Sequence, residues 1–420
     1  MYQVSQLENG LRVATAEMPH MASVSLGVWV GVGSRYEPAE MNGACHFIEH
    51  LLFKGTKKRT ARQVSEAVEG VGGYLNAFTS EEATCFHARA SHEKLAELLD
   101  VLLDMLLNST FAPVEIEKER EVIKEEIAMY LDQPHHHVQE VLNSLLWPGQ
   151  PLGKPITGTG KTLDSLSRAK LLSYLKHHYV AGNTLIVAAG KLTHAKLLRT
   201  LRGYLSKFAA ALRPQFPPAN NKQASPVIRL VRRKTEQTHI ALGFRSCSRH
   251  DPRRYALRLL NTILGENMSS RLFQIIREDR GLAYSIYTSP SFFADTGDFV
   301  ISAGLDTDNL EKTFKLIARE LRRISRTAPS VPEVKRAQEY LVGQIDLGSE
   351  STDNQMNNLG EQLLGYGKVM RPAEIKRRLL QTTPGQIQAA ASDFFRPDRL
   401  NLALVSPLKS DRHLAKWLTV

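Results

Sequence analysis

The spacing of hydrophobic positions changes several times along the chain, and each change predicts an element. Residues 2–17 read as two strands joined at Asn9-Gly10, a dipeptide suited to a tight turn. "SVSLGVWVG" (23–31) is a strand-like apolar run, and "GGYLNAFTSEEATCFHARA" (72–90) reads as a hairpin of two alternating strands about a Thr-Ser turn. Helical spacing follows at about 92–107, 113–131 and 163–178. "YLKHHYVAGNTLIVAAG" (174–190) then reads as helix, turn and apolar strand. Further on, "GDFVISAGL" (297–305) is strand-like, 308–326 and 331–346 are helical, and "AASDFFRPDRLNLALVS" (390–406) closes with helix, turn and strand again.

These elements form a weak internal repeat. "GVWVGVGSRYEP" (27–38) and "IALGFRSCSRHDP" (240–252) are both strands running into a turn, and Ser34-Arg35 aligns with Ser248-Arg249 at an offset of 214. Between the halves, "ALRPQFPPANNKQASP" (211–226) has a linker's composition. The expected organisation is a half-domain over 1–210, a linker over 211–226 and a second half-domain over 227–420. Strands and helices grouped in this way predict an α+β fold, each half a mostly antiparallel sheet covered by helices.

Composition removes several functional classes. A chain of 420 residues with 42% hydrophobic and 23% charged residues can build more than one core. The net charge is +11, but Lys and Arg are spread along the chain in short runs, and no zinc-finger, RNA-binding or basic-zipper spacing accompanies them. Nucleic acid is therefore not the expected partner. No apolar stretch of about 18 residues is present, so a membrane-spanning helix is not expected. Nor does a basic region followed by an apolar run open the chain, so no signal or transit segment is expected in it. Three cysteines, Cys45, Cys85 and Cys247, make no disulfide framework and fit a reducing compartment. The expected location is a bacterial cytoplasm, with the matrix of an organelle as the alternative.

The candidate chemistry lies in "GACHFIEHLLFKGT" (43–56), where His46, Glu49 and His50 interrupt an otherwise apolar helix. At i, i+3 and i+4 the three share one face. Two imidazoles one turn apart can hold a zinc ion, and the carboxylate beside them can take a proton from a water on the metal. H-x-x-E-H is the inverted form of the commoner H-E-x-x-H motif. The same residues also fit two core or capped histidines beside a surface carboxylate. A third ligand is sought in "PVEIEKEREVIKEEIAMYL" (113–131), whose apolar stripe runs through Ile116, Val122, Ile123, Ile127 and Tyr130. Glu119 and Glu126, seven apart, fall inside that stripe. Buried carboxylates need cations or donors, and either zinc or a salt bridge would serve. Glu117, Glu121 and Glu125 point away, which leaves Glu125 as the less favoured rival ligand. Glu115 sits in the first turn, where the helix dipole already suits it. "PHHHVQE" (134–140) reads as a turn or helix start, because consecutive histidines do not share a helical face. Cys45 projects about 100° from His46 and reads as core.

With these residues in view, the chain resembles the pitrilysin, insulin-degrading enzyme and mitochondrial processing peptidase family of inverted-motif zinc peptidases. "HFIEHLLFKGT", the 76-position step from His50 to Glu126, "GGYLNAFTSEEAT" and "GLAYSIY" preceded by "SSRLFQIIRED" carry the resemblance, in the family's order and over nearly the whole chain. The resemblance implies one zinc ion per chain on His46, His50 and Glu126. Glu49 would be the general base, and Glu119 an acid that hydrogen-bonds a ligand. Asn76 and Ala77 would hold the substrate backbone by strand addition. Arg277 and Tyr284 would bind the substrate and stabilise the oxyanion.

The family's largest members have four half-domains closing a clamshell around a chamber, and this chain has two. At the offset of 214, His46, Glu49 and His50 map to Leu260, Ile263 and Leu264, so the second half carries no metal set. The resemblance thus implies an endopeptidase for short or unstructured polypeptides, working as a homodimer or beside an inactive paralogue. A processing peptidase for presequences and a non-catalytic structural subunit are the alternatives.

Overall fold

The computed structural model describes residues 2–411 and Leu414. The chain divides into two compact units. The first holds residues 2–127, 154–217 and 347–369, and the second 128–153, 218–346 and 370 onward.

The first unit is built on a six-stranded sheet of β1 (Tyr2–Gln6), β2 (Arg12–Glu17), β3 (Ser23–Val30), β4 (Tyr74–Thr79), β5 (Thr84–Ser91) and β6 (Thr184–Gly190). Its order is β1-β2-β6-β3-β5-β4, antiparallel throughout except β2 beside β6. The Asn9-Gly10 turn forms as the sequence predicts, with Gly10 at φ +91°, a conformation that costs glycine little. Central β3 is buried along almost its whole length, which its unbroken apolar run requires. β4 is the last strand, and among the described residues one of its edges carries no neighbour.

The second unit repeats this plan. Its sheet contains β7 (Val227–Arg232), β8 (Thr238–Arg245), β9 (Ala283–Phe292), β10 (Gly297–Leu305) and β11 (Leu400–Ser406). The order is β7-β11-β8-β10-β9, with β7 and β11 the parallel pair. Leaving β1 aside, the two sheets share one strand order, which is the topological form of the internal repeat. The α+β class follows directly. Leu260, Ile263 and Leu264 are buried in the second unit's apolar core.

Each sheet has two faces to cover, and the helices of one stretch of chain cover only one of them. The helix Pro134–Leu146 comes before the linker but packs Val138, Leu142 and Leu146 on Ala241, Val300, Ala403 and Val405 of the second unit's sheet. The helix Thr352–Tyr366 comes after the linker but packs Met356, Leu359 and Leu363 on Trp29, Leu185 and Val187 of the first unit's sheet. The Trp29 indole donates to Met356 Sδ at 3.3 Å. A cut along the linear sequence does not express this reciprocal exchange, because periodicity tells which face of a helix is apolar and not which sheet receives it. The linker is shared in the same sense. Phe216 lies under the Arg35 guanidinium, 4.0 Å from it, in the first unit. Ala219 N–H donates to Asp295 in the second.

Two local readings change. The helical stretch expected at 163–178 is broken into Gly160–Ser165 and Arg168–His178. Ser167 caps the second piece, and the Arg120 guanidinium takes the carbonyls of Leu163 and Leu166 at the break. Val122 is exposed rather than part of the buried stripe of its helix. It lies about 100° round the helix from Ile123, outside the arc that Ile116 and Ile123 bury. Among the described residues no helix is long and apolar enough to cross a membrane.

Gly360 tests the exchanged helix. A Cβ there would lie 2.3 Å from Cε2 of buried Trp29. Alanine favours a helix over glycine by about 1 kcal/mol, while overpacking a core costs about 1–3 kcal/mol. Gly360→Ala is expected to destabilise by the overpacking margin, read as a lower denaturation midpoint; a rise would mean that the helix does not press on Trp29.

Candidate metal centre

The helix Ala44–Leu52 buries Ala44, Cys45, Phe47, Ile48, Leu51 and Leu52 in the first unit's core. Its start is unusual. Gly43, at φ +95°, makes no side-chain cap, so the first N–H groups need another acceptor. Glu37 supplies it. Its carboxylate accepts from Gly43 N–H at 2.8 Å and Cys45 N–H at 2.7 Å, and from Asn42 Nδ2 at 3.2 Å. Glu37 is 2% exposed. Burial pushes its pKa up to about 7 even though the N–H bonds work the other way. An acid at a helix N-terminus also complements the dipole, which helps a buried carboxylate remain there.

The fixed helix turns His46, Glu49 and His50 to one side. The acidic helix Pro113–Asp132 brings Glu126 to them. His46 Nε2 and His50 Nε2 each lie 3.7 Å from the same Glu126 oxygen. One ligand atom from each of His46, His50 and Glu126 lies within 4.8 Å of the other two, the one such group among the described residues. Glu125 is exposed and takes no part. A separation of 3.7 Å is too long for a good hydrogen bond. It is close to the distance of about 3.3 Å between ligand atoms that each sit about 2.0–2.1 Å from a tetrahedral zinc. The donor set fits that ion: two nitrogens, one carboxylate, and a His46 whose pKa burial, aided by His50, lowers to about 4, so that it is neutral at pH 7.

The surrounding contacts orient these atoms. His50 Nδ1 meets Glu119 Oε2 at 3.1 Å, which directs His50 Nε2 toward Glu126. Lys54 Nζ holds the other Glu119 oxygen at 2.8 Å. Glu119 is 3% exposed; burial raises its pKa, but the bonds from His50 and Lys54 outweigh that and hold it below the ordinary value. Glu49 Oε2 accepts from Thr79 Oγ1 on β4. Burial raises the Glu49 pKa, against the Thr79 bond.

Asn76 and Ala77 lie on the same strand as Thr79, at the open edge of the sheet. The Ala77 N–H donates to the neighbouring Asn76 side chain at 2.8 Å. Arg277 and Tyr284 belong to the second unit. There they are neighbours, with the guanidinium 5.8 Å from the Tyr284 ring and the ring 77% exposed at the start of edge strand β9. The structure thus gathers His46, Glu49, His50, Glu119 and Glu126 in one cluster, sets Asn76 and Ala77 on the adjoining strand, and pairs Arg277 with Tyr284 in the other unit. The histidines of "PHHHVQE" begin the helix Pro134–Leu146. Cys45 is buried core, with Sγ at 3.4 Å from the Tyr174 hydroxyl.

Sequence reasoning passed over Glu37, Lys54 and Thr79. Lys54 stands one helical turn beyond His50, and a glycine before an uncapped helix was a signal that a distant acceptor was needed.

Comparison with known proteins shows what the whole chain is similar to. The family described as Insulinase (Peptidase family M16) matches residues 12–160, and the one described as Peptidase M16 inactive domain matches 165–341. An uncharacterized zinc protease of Streptomyces coelicolor is 38% identical over 409 residues, 96% of this chain and 89% of that protein. The uncharacterized zinc protease YmxG of Bacillus subtilis is 36% identical over 401 residues, covering 95% of this chain and 97% of its own. A solved protease from Helicobacter pylori shares the fold with a TM-score of 0.91 at 19% identity, over 97% of this chain and 99% of that one.

Glu37 gives a test with a definite sign. Its folded pKa lies above its unfolded value, so the charged form is disfavoured by folding. The cost is full above about pH 7 and is relieved as pH falls toward about 4.5. The stability of the native chain relative to Glu37→Gln should therefore increase over that fall in pH, measured by denaturant unfolding. A constant difference would contradict the assigned burial.

Proposed function

The chain belongs to the M16 insulinase family of peptidases, and on that premise we propose that it is a zinc-dependent endopeptidase acting on short or unstructured polypeptides. The observation that carries the proposal is the convergence of His46, His50 and Glu126 ligand atoms within 4.8 Å, with Glu49 on the same helical face. The family match that is described as inactive covers 165–341, the stretch in which Leu260, Ile263 and Leu264 stand in place of the metal set. The metal set itself lies within the 12–160 match.

One zinc ion held by His46, His50 and Glu126 would supply Lewis acidity to the attacking water and to the scissile carbonyl. Glu49 takes the proton of that water and returns it to the leaving amine. Its burial-raised pKa makes it a stronger base than an exposed carboxylate, as a group that accepts and then releases a proton needs. Thr79 fixes which Glu49 oxygen is free. Glu119, locked by Lys54, keeps the His50 ring in its ligating orientation. The open edge of β4 at Asn76 and Ala77 pairs with substrate main chain. Recognition of backbone rather than side chains fits a loose sequence preference. Arg277 and Tyr284 hold the substrate and the developing oxyanion. By family likeness they come from a second copy of the chain, which makes the working form a dimer with composite sites around a chamber. Three buried, unpaired cysteines support a reducing, cytoplasmic setting.

The expected activity is cleavage of an unstructured peptide library, abolished by a chelator and restored by zinc, with products read by mass spectrometry. Cleavage indifferent to chelation would sink the proposal. Glu49→Gln should retain zinc while lowering kcat by about 10²–10⁴-fold. Lys54→Met should weaken zinc affinity by about tenfold or more without removing a ligand. Competition with a metal indicator measures that, and unchanged affinity would deny Lys54 its positioning role.

A further inference from the structure

The second unit carries a polar cleft of about 330 Å³ that no part of the hydrolytic reading uses. Arg245, Arg253, Arg396 and Arg399 line it, with Asp393 and Ser246. Two of these cations are already matched. Arg253 binds Asp251 at 2.6 Å and Asp393 at 2.9 Å, and Arg396 binds Asp398 at 3.0 Å. The other two are not: among the described residues neither Arg245 nor Arg399 has a carboxylate partner.

Arg245 is the unusual member, at only 4% exposure. Its Nε donates to the Leu146 carbonyl at 2.7 Å and its Nη1 to the Lys222 carbonyl at 2.9 Å. The guanidinium is also held 5.2 Å from the Trp147 ring. These contacts fix its plane, and Nη2 remains without an acceptor among the described residues. Arg399 Nη1 donates to the Asp393 carbonyl at 3.1 Å, which anchors the second guanidinium on the same cleft. Burial, and then the charge of Arg399, both push the Arg245 pKa down. A buried cation facing another cation is costly unless an anion joins them.

We propose that this cleft binds a dianionic phosphate group, either free phosphate or the head of a small phosphomonoester. Arg245 Nη2 and the Arg399 N–H groups not given to Asp393 are separate charged donors on one cleft, which suits the several oxygens of a phosphate better than a single chloride. Ser246, whose hydroxyl is buried without a partner among the described residues, lines the same cleft as a further polar group. Asp393 pairs with Arg253, which it shares with Asp251, and its carboxylate is the one negative group lining the cleft. The volume exceeds what one small ion needs and falls at the lower end of small-ligand sites, about 300–1,000 Å³. The proposal does not depend on the zinc site.

Isothermal titration of the purified full-length protein with inorganic phosphate, and separately with AMP, tests it. Saturable binding of one equivalent per chain is expected. Arg399→Gln, at a half-buried position less risky to folding than Arg245, should weaken binding by about tenfold and leave zinc content unchanged. Tighter binding of AMP assigns the site to an ester, and tighter binding of phosphate to the free ion. No saturable binding of either probe, or equal affinity in Arg399→Gln, would overturn the proposal.

Discussion

Polar groups buried on an apolar helix must be satisfied from outside that helix, and the first unit is organised around this constraint. The helix Ala44–Leu52 gives most of its surface to the core, so His46, Glu49 and His50 can only be met from one side. Three elements come to that side. The acidic helix brings Glu119 and Glu126, β4 brings Thr79, and the loop before the helix folds Glu37 under its first turn. Each contact fixes a different degree of freedom: the axial position of the helix, the plane of the His50 ring and the carboxylate rotamer of Glu49. Such supporting contacts hold a site to the tolerance that catalysis needs.

The internal repeat shows what the second unit does without that constraint. Its sheet has the same strand order, and Leu260, Ile263 and Leu264 occupy the corresponding positions as plain core. A fold that is indifferent to whether these positions are polar can host chemistry in one copy and lose it in the other. The reciprocal exchange of the helices Pro134–Leu146 and Thr352–Tyr366 then covers the second face of each sheet with a segment from the other half of the chain.

Local order was legible in the sequence because it rests on local rules. Alternation gave the hairpin of β4 and β5, Asn9-Gly10 gave the first turn, and the shared angle of Glu119 and Glu126 singled out the acidic helix. What escaped depends on distance through space. Val122 looked buried because its residue type was apolar, yet it stands on the solvent side of its helix. Glu37 meets Gly43 and Cys45 through a turn whose path no periodicity describes. Trp29 and Gly360 are brought into contact by an exchange of helices that only the folded sheets require.

Everything above turns on one zinc ion between the helices Ala44–Leu52 and Pro113–Asp132. The most direct measurement is anomalous scattering at the zinc edge from crystals of the protein as purified. A single strong peak per chain is expected, about 2.0–2.2 Å from His46 Nε2, His50 Nε2 and a Glu126 oxygen. A zinc-loaded crystal with its peak elsewhere, or with Glu126 turned away from the ion, would contradict it.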